Sequence, residues 1–137
     1  MPIQFTTDDI DFTLSDSSQT TTWISKIIHS HHVAIQEIVY IFCSDKRLLE
    51  INRESLSHDY YTDIITFPFQ NDPIHTDIFI SVDRVRDNAS AFGVSFDDEL
   101  RRVMIHGILH ILGYKDHTEV EKEEMRTKEN WALSIFQ

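Results

Sequence analysis

The segment that most constrains the fold is FDDELRRVMIHGILHILG, residues 96–113. Its apolar side chains recur around most of a helical circumference, which predicts a helix that other elements cover on several sides. Ser95 precedes it as an N-cap, acidic residues fill its first turn, and Gly113 follows as a C-terminal stop. The chain is therefore expected to fold around a central, largely buried helix.

Two histidines inside this helix predict a metal site. His106 and His110 are four residues apart, so both imidazoles project from one face of the helix. On an exposed helix they would be ordinary histidines, but in so apolar a helix two histidines without a partner would each cost burial energy. Gly107 costs about 1 kcal/mol relative to alanine inside a helix, so it is expected to let another backbone or a ligand come close.

The third ligand is expected just after the helix. A catalytic zinc usually has three protein ligands and one open position. Asp116 and His117 follow the turn at Gly113, and each offers a suitable donor atom, so the residues alone leave both open.

Zinc peptidases of the H-E-x-x-H type carry a glutamate as general base where this chain has Gly107. The site is therefore expected to act on an ester such as a phosphodiester rather than on a peptide.

The remaining segments predict a single α+β domain over residues 1–137, a length that suits one hydrophobic core. Strands are predicted from β-branched and alternating patterns, and helices from apolar residues at helical spacing behind capping residues. Pro68 indicates that the end of the third predicted strand lies at a sheet edge or outside the hydrogen-bonded ladder, and a turn is expected over residues 70–76. The predicted strands are 3–14, 35–44, 62–69 and 77–82, and the predicted helices are 18–32, 44–55, 82–93, 96–113 and 118–136.

The net charge of -11 argues against a general nucleic-acid binder, because such domains are usually basic. A local basic track remains open, although solvated helix faces are the better interpretation of the same residues. The basic residues concerned are Lys46, Arg47, Arg53, Arg84, Arg86, Arg101 and Arg102.

Cysteine content and hydropathy bear on the compartment. The single cysteine, Cys43, has no partner for an internal disulfide, which favours a reducing cytoplasm. No apolar run approaches the roughly 20 residues that span a bilayer, so no membrane association is expected. The N-terminal residues also lack the basic and apolar regions of a secretory signal.

Three motifs in a fixed order resemble one known family. HGILHILGY followed by an Asp/His element resembles the signature of the YbeY family, the single-domain metal-dependent endoribonucleases of ribosomal RNA maturation. TDIITFPF is similar to that family's T-[DN]-V-L-S-F-P segment, and TDIFIS is similar to its G-D-I-x-I-S strand. The resemblance covers roughly residues 45–130.

This resemblance implies a function that composition and spacing alone do not. It implies an α+β fold with a small mixed sheet, and a hydrolase that uses one zinc ion to cleave single-stranded RNA. It also implies a cytoplasmic protein that works with the small ribosomal subunit, in maturation of the 3′ end of 16S ribosomal RNA.

The sequence departs from the family pattern at two positions. The family places a third histidine six residues after the second; counting without a gap reaches Asp116, so Asp116 is the expected third ligand and His117 the alternative. Many members carry an arginine where this chain has Leu56, so Arg53 or another arginine would have to contact the phosphate. The catalytic residue is left open among Asp116, His117, Arg53 and Asp63, the last of which is expected to line the cleft from the sheet side.

Two other functions compete with a zinc-dependent endoribonuclease. One is a metal-dependent hydrolase of another substrate, such as a peptide or a small ester. The other is a non-catalytic ribosome-associated factor in which the metal holds the last helix to the core. The Leu56 departure is the feature that keeps this last alternative open.

Overall fold

The computed structural model describes residues 2–136, which form one mixed sheet and five helices. The sheet and the helices alternate along the chain only at its start, and the last three elements are all helical. The strands are β1 (Ile3–Thr7), β2 (Ile35–Cys43), β3 (Ile64–Asn71) and β4 (Ile74–Ser81). The helices are α1 (Ser17–Ser30), α2 (Asp45–Leu56), α3 (Val82–Phe92), α4 (Phe96–Ile111) and α5 (Glu119–Ser134).

The sheet has the strand order β1-β2-β4-β3. Strands β1, β2 and β4 run parallel to one another, and β3 pairs with β4 in the antiparallel direction as the outer strand of a hairpin. The predicted α+β class and small mixed sheet are therefore confirmed. Pro68 lies on the edge strand, at an irregularity in the pairing between Pro68 and Gln70, as expected for a residue without a backbone donor.

Both faces of the sheet are covered. Alternate β4 residues point to opposite faces, and Ile78 and Ile80 belong to the larger core that includes α1 and α4. Phe79 points the other way, toward the smaller cluster beneath α2. The predicted burial of α4 is confirmed, since its sequence contributes fully buried residues throughout its length. Tyr40 ties the sheet to this helix, because its buried hydroxyl donates a 3.0 Å hydrogen bond to the carbonyl of Met104.

The predicted helix boundaries agree with the structure to within about two residues. Ser95 accepts a hydrogen bond from the backbone N–H of Asp98 and so caps α4. Gly93 ends α3 in the left-handed region with φ of 69°. The predicted capping box is present, with Thr118 and Glu121 each bonding the other's backbone N–H. These signals are local in sequence, which is why they predict helix ends well.

Two predicted segments, the one that holds the first strand and the turn before β4, differ in extent from the structure. The first strand ends at Thr7 rather than at residue 14, because Ile10, Phe12 and Leu14 pack against the core from a loop. The predicted turn over residues 70–76 is shorter, since β3 continues to Asn71 and β4 begins at Ile74. The alternation of apolar residues thus identified side chains that contact the core, but it did not show which of them belong to a strand.

None of the helices in residues 2–136 is long and apolar enough to cross a membrane.

Candidate metal centre

The last turns of α4 and the connection to α5 bring three candidate ligands together. His106 and His110 lie on the same face of α4, and Gly113, with φ of 109°, reverses the chain after the helix. The backbone N–H of Gly113 bonds the carbonyl of His110, and that of Tyr114 bonds the carbonyl of Leu109. This closed turn returns Asp116 to the two imidazoles.

The three donor atoms form a nearly equilateral triangle. The Nε2 atoms of His106 and His110 are 3.0 Å apart. Oδ2 of Asp116 lies 3.4 Å from Nε2 of His106 and 3.3 Å from Nε2 of His110. Ligand atoms bound tetrahedrally at about 2.0–2.1 Å would be separated by about 3.3 Å. The triangle therefore fits one face of a tetrahedral zinc site, and in residues 2–136 it is the group of side chains that could hold an ion.

The hydrogen bonds of the two imidazoles favour a cation between them. Nδ1 of His106 lies 2.6 Å from Oε2 of Glu129, and Nδ1 of His110 lies 3.0 Å from the carbonyl oxygen of Tyr114. Both partners accept only, so each Nδ1 carries the proton and each Nε2 presents a lone pair. Two lone pairs and a carboxylate oxygen then face each other at about hydrogen-bond distance. A metal ion, or a proton shared among them, removes the repulsion.

Glu129 on α5 orients His106 and is itself held in place. Its other oxygen accepts a 2.8 Å bond from Nη1 of Arg102 on α4. Burial alone would raise the pKa of Glu129, but the hydrogen bonds from His106 and Arg102 keep it below its usual value. For His106 burial acts to lower the pKa, and the bond to Glu129 with the charges of Glu129, Asp116 and Asp63 outweighs it and raises the pKa. A carboxylate behind a ligating imidazole is a common device for fixing its tautomer.

Sequence reasoning missed both Glu129 and Arg102 as parts of the site. A signal for Glu129 was present: Met125, Glu129 and Ala132 follow helical spacing, and all three are buried on one face of α5. A carboxylate on an otherwise apolar helix face rarely stays buried without a partner. Arg102 carried no comparable signal, because it lies among the partly exposed residues of α4.

Asp63 approaches the centre from the sheet, as its sequence position before β3 suggested. Its backbone carbonyl accepts a bond from the N–H of Ser81, which fixes it against the end of β4. Its Oδ2 receives a long 3.4 Å bond from the side-chain amide of Asn88. Burial raises the pKa of Asp63, and the negative charge of Glu129 adds to this, while His106 acts in the opposite direction. Burial thus favours the protonated form of Asp63 relative to an aspartate in water.

An open cavity of about 590 Å³ lies in front of the three candidate ligands. This volume suits a small-molecule or nucleotide fragment. Asp63 lines it, and so does Leu56, the residue that stands at the position of the family arginine. Among the described residues, no lysine or arginine lines the cavity. Its walls comprise Asn52, Leu56, His58, Tyr60, Thr62, Asp63, Ile64, Ile65, Thr66, Pro68, Asn71, His106, His110, Ile111 and Asp116.

Two of the candidate residues lie away from the cavity walls. His117 is exposed, and its backbone N–H bonds the Glu121 side chain at the start of α5. Arg53 is paired with Asp59 on the surface. The structure therefore brings Asp116, rather than His117, into the group with the two histidines.

The other arginines of the predicted basic track are largely neutralised. Each of four pairs with a carboxylate, and a fifth, Arg86, lies over the ring of Phe96. A salt bridge to a neighbouring carboxylate leaves less charge to attract phosphate. The four pairs are Arg47 with Asp8, Arg84 with Asp45, Arg101 with Asp98 and Arg102 with Glu129.

Gly107 allows α4 to pack closely on the sheet. A Cβ atom at this position would lie 2.9 Å from Cδ1 of Ile64 and 3.2 Å from Oγ1 of Thr66. The expectation that Gly107 admits another backbone or a ligand was wrong in detail, because side chains of β3 occupy this space. The same contact leaves no room for a glutamate beside His106.

Comparison with known proteins gave consistent matches. The family model described as "Endoribonuclease YbeY" matches residues 3–137. A protein of that name from Bacteroides thetaiotaomicron is 46% identical over 136 residues, covering 98% of this chain and 99% of the relative. One from Cytophaga hutchinsonii is 48% identical over 135 residues, covering 97% and 94%. One from Flavobacterium psychrophilum is 47% identical over 129 residues, covering 93% and 92%.

A solved structure shares the fold. The solution structure of a protein from Thermotoga maritima superimposes with a TM-score of 0.68 at 25% sequence identity. The match covers 96% of this chain and 87% of the other. The arrangement of sheet and helices that presents the candidate ligands is thus one already observed in a folded protein.

Proposed function

Because this chain belongs to the YbeY endoribonuclease family, we propose that it is a metal-dependent endoribonuclease that cleaves single-stranded RNA. His106, His110 and Asp116 would hold one zinc ion. The observation that carries the proposal is the triangle of donor atoms with sides of 3.0, 3.3 and 3.4 Å, open to a cavity. The domain that performs the reaction is the single unit of residues 1–137.

The chemistry of the donor set suits phosphodiester hydrolysis. A divalent ion bound there would lower the pKa of a coordinated water and stabilise negative charge on a phosphoryl oxygen. Glu129 would keep Nε2 of His106 free for binding, because its carboxylate accepts the Nδ1 proton. The carbonyl of Tyr114 does the same for His110.

Asp63 is the proposed proton acceptor of the reaction. Hydrolysis requires that the attacking oxygen lose a proton and that the leaving oxygen gain one. Asp63 lines the cavity beside the ligands, and burial raises the pKa of its carboxyl, which favours its uptake of a proton. Asp116 is occupied as a ligand in this proposal, and His117 and Arg53 lie outside the cavity walls.

The biological substrate follows from the family resemblance. We propose that the chain acts on ribosomal RNA, in maturation of the 3′ end of 16S ribosomal RNA, and that it works with the small ribosomal subunit. A cytoplasmic location accords with this role and with one buried, unpaired thiol at Cys43.

A cleavage assay with single-residue variants tests the proposal. The wild-type protein with zinc should cut a single-stranded RNA oligonucleotide, leave the same sequence in a duplex intact, and stop when a chelator is added. His110→Ala should lose both zinc and cleavage. His29→Ala is the matched control, because His29 is an exposed histidine at the end of α1 and should retain both.

The same assay separates the two competing functions. The absence of lysine and arginine from the described cavity walls favours a non-catalytic factor as the second candidate. If the wild-type protein binds zinc but cuts no RNA, and His110→Ala lowers only the melting temperature, the metal is structural. If it hydrolyses peptide or ester substrates instead, the substrate class proposed here is wrong.

A further inference from the structure

We propose that His58 and Tyr60 form a platform on which an unpaired nucleobase of the substrate stacks. This inference rests on the proposed function, since it assigns a recognition element to the same cavity. Tyr60 and His58 line the cavity that His106, His110 and Asp116 also line. A base placed there would hold the neighbouring phosphodiester within the same cavity as the candidate ligands.

The two rings are already arranged as a stacked pair. Their centroids are 5.2 Å apart with an interplanar angle of 22°, so the imidazole covers one side of the tyrosine ring. A 2.9 Å hydrogen bond joins the Tyr60 hydroxyl and Nδ1 of His58. Tyr60 nevertheless remains 56% exposed, so a large part of its side chain is open to a ligand.

The loop that carries the platform is anchored to α2. The side-chain amide of Asn52, which is buried, donates a 2.9 Å bond to the backbone carbonyl of Tyr60. Asp59, which separates His58 and Tyr60 in the sequence, is paired with Arg53 of α2. Fixing the rings before the substrate arrives reduces the entropy lost on binding, which favours affinity.

The charge of the cavity explains why stacking would be needed. Leu56, which is 42% exposed, presents an apolar surface where many relatives are expected to carry an arginine. In the described part of the chain the cavity walls offer no lysine or arginine to a phosphate, and the whole chain carries a net charge of -11. Contacts that do not depend on charge are therefore expected to add to the affinity for RNA, and base–aromatic stacking is such a contact.

Stacking on this platform also accounts for a preference for single strands. In a duplex each base already stacks on its neighbours and pairs across the helix, so its faces are unavailable. A base in a single strand can be turned out onto Tyr60 at little cost. The platform therefore selects the unpaired substrate at the level of binding.

Equilibrium binding in a chelator tests the platform apart from catalysis. Fluorescence anisotropy of a labelled single-stranded RNA, with excess EDTA, reports binding without cleavage. Tyr60→Ala should weaken binding about tenfold or more, as loss of one stacked base predicts. Tyr60→Trp should restore it. Tyr61→Ala is the matched control, because Tyr61 is 55% exposed, lies outside the cavity walls and contacts Arg84 instead.

Kinetics and an abasic substrate complete the test. In the zinc-loaded enzyme Tyr60→Ala should raise KM about tenfold and leave kcat within twofold. A set of oligonucleotides is also made in which the base is removed at one position after another. The affinity of the wild type for the RNA that lacks the stacked base should equal the affinity of Tyr60→Ala for the intact RNA. Equal effects of Tyr60→Ala and Tyr61→Ala, or no effect of removing the bases, would overturn the platform.

The outcomes also distinguish failure of the platform from failure of the proposed function. Base-dependent binding that Tyr60→Ala weakens as expected, without cleavage under any metal, would support the platform and reject the endoribonuclease. Cleavage that changes neither in Tyr60→Ala nor when bases are removed would support the endoribonuclease and reject the platform. Circular dichroism and the melting temperature of each variant show that it is folded before either conclusion is drawn.

Discussion

At the scale of single residues, the candidate metal centre depends on one carboxylate that lies outside the proposed ligand set. Glu129 accepts the Nδ1 proton of His106, and Arg102 holds its second oxygen. Because both oxygens of the Glu129 carboxylate accept hydrogen bonds, the carboxylate is fixed, and it holds the His106 imidazole in one orientation and one tautomer. This arrangement converts a flexible histidine into a fixed donor.

Replacing this carboxylate should weaken metal binding while leaving all three ligands in place. We expect Glu129→Gln to reduce zinc affinity by about 10- to 100-fold, because the neutral amide binds the Nδ1 proton less strongly and lowers the basicity of Nε2. Competition with a fluorescent chelator measures the affinity. Glu124→Gln removes the same charge from an exposed position of α5 and should change it by less than twofold. Similar affinities in the two variants would contradict the orienting role.

Part of the site could be predicted from sequence at this scale. The spacing of His106 and His110 on one helix predicted their approach, because an α-helix fixes the geometry over four residues. Asp116 follows a turn, and local sequence patterns do not determine the path of the chain through it. Only the spacing in the family pattern favoured Asp116 over His117. His58 and Tyr60 carried no signal, since the stacking of two loop residues depends on anchors such as Asn52.

At the scale of elements, α5 is fixed by its first residues as well as by its packing. The capping box of Thr118 and Glu121 satisfies two backbone donors that would otherwise face solvent. The hydrogen bonds of Glu121 with the backbone and side chain of Thr118 also hold the pKa of its carboxyl below the usual value. The start of α5 thus sets the direction in which Glu129 approaches α4.

Removing the cap should cost a measurable part of the stability. We expect Thr118→Ala to lower the free energy of unfolding by about 1 kcal/mol, because the N–H of Glu121 loses its acceptor. Urea denaturation followed by circular dichroism gives the value. Thr127→Ala, at an exposed position within the same helix, should be neutral or slightly stabilising. An unchanged midpoint in Thr118→Ala with an unchanged slope would refute the assignment of the cap.

Elements differed in how well their ends could be predicted. Helices began and ended where capping residues stand in the sequence, as with Ser95 and Gly93. The end of β1 could not be found in this way, because Phe12 and Leu14 bury their side chains from a loop with the same alternation as a strand. Strand order was also inaccessible, since β2 pairs with β1 and with β4, and their positions depend on contacts between distant parts of the chain.

At the scale of the whole molecule, binding of an ion to folded protein alone should stabilise the fold. The candidate ligands come from α4 and the connection to α5, and α4 is the most buried helix of the core. An ion present at a hundredfold excess over its dissociation constant contributes about 2.7 kcal/mol. We expect a chelator to lower the melting temperature of the wild type and zinc to restore it. Differential scanning calorimetry of His110→Ala, which should respond to neither, provides the control.

The order of residues along the chain separates loading of the site from its alignment. The three grouped ligands, His106, His110 and Asp116, lie within one short segment, whereas the carboxylate behind His106 belongs to the last helix. The three donor atoms thus come from one short segment, whereas the orientation of His106 depends on a contact with a distant one. The centre reaches its full geometry only when the final helix is docked against α4.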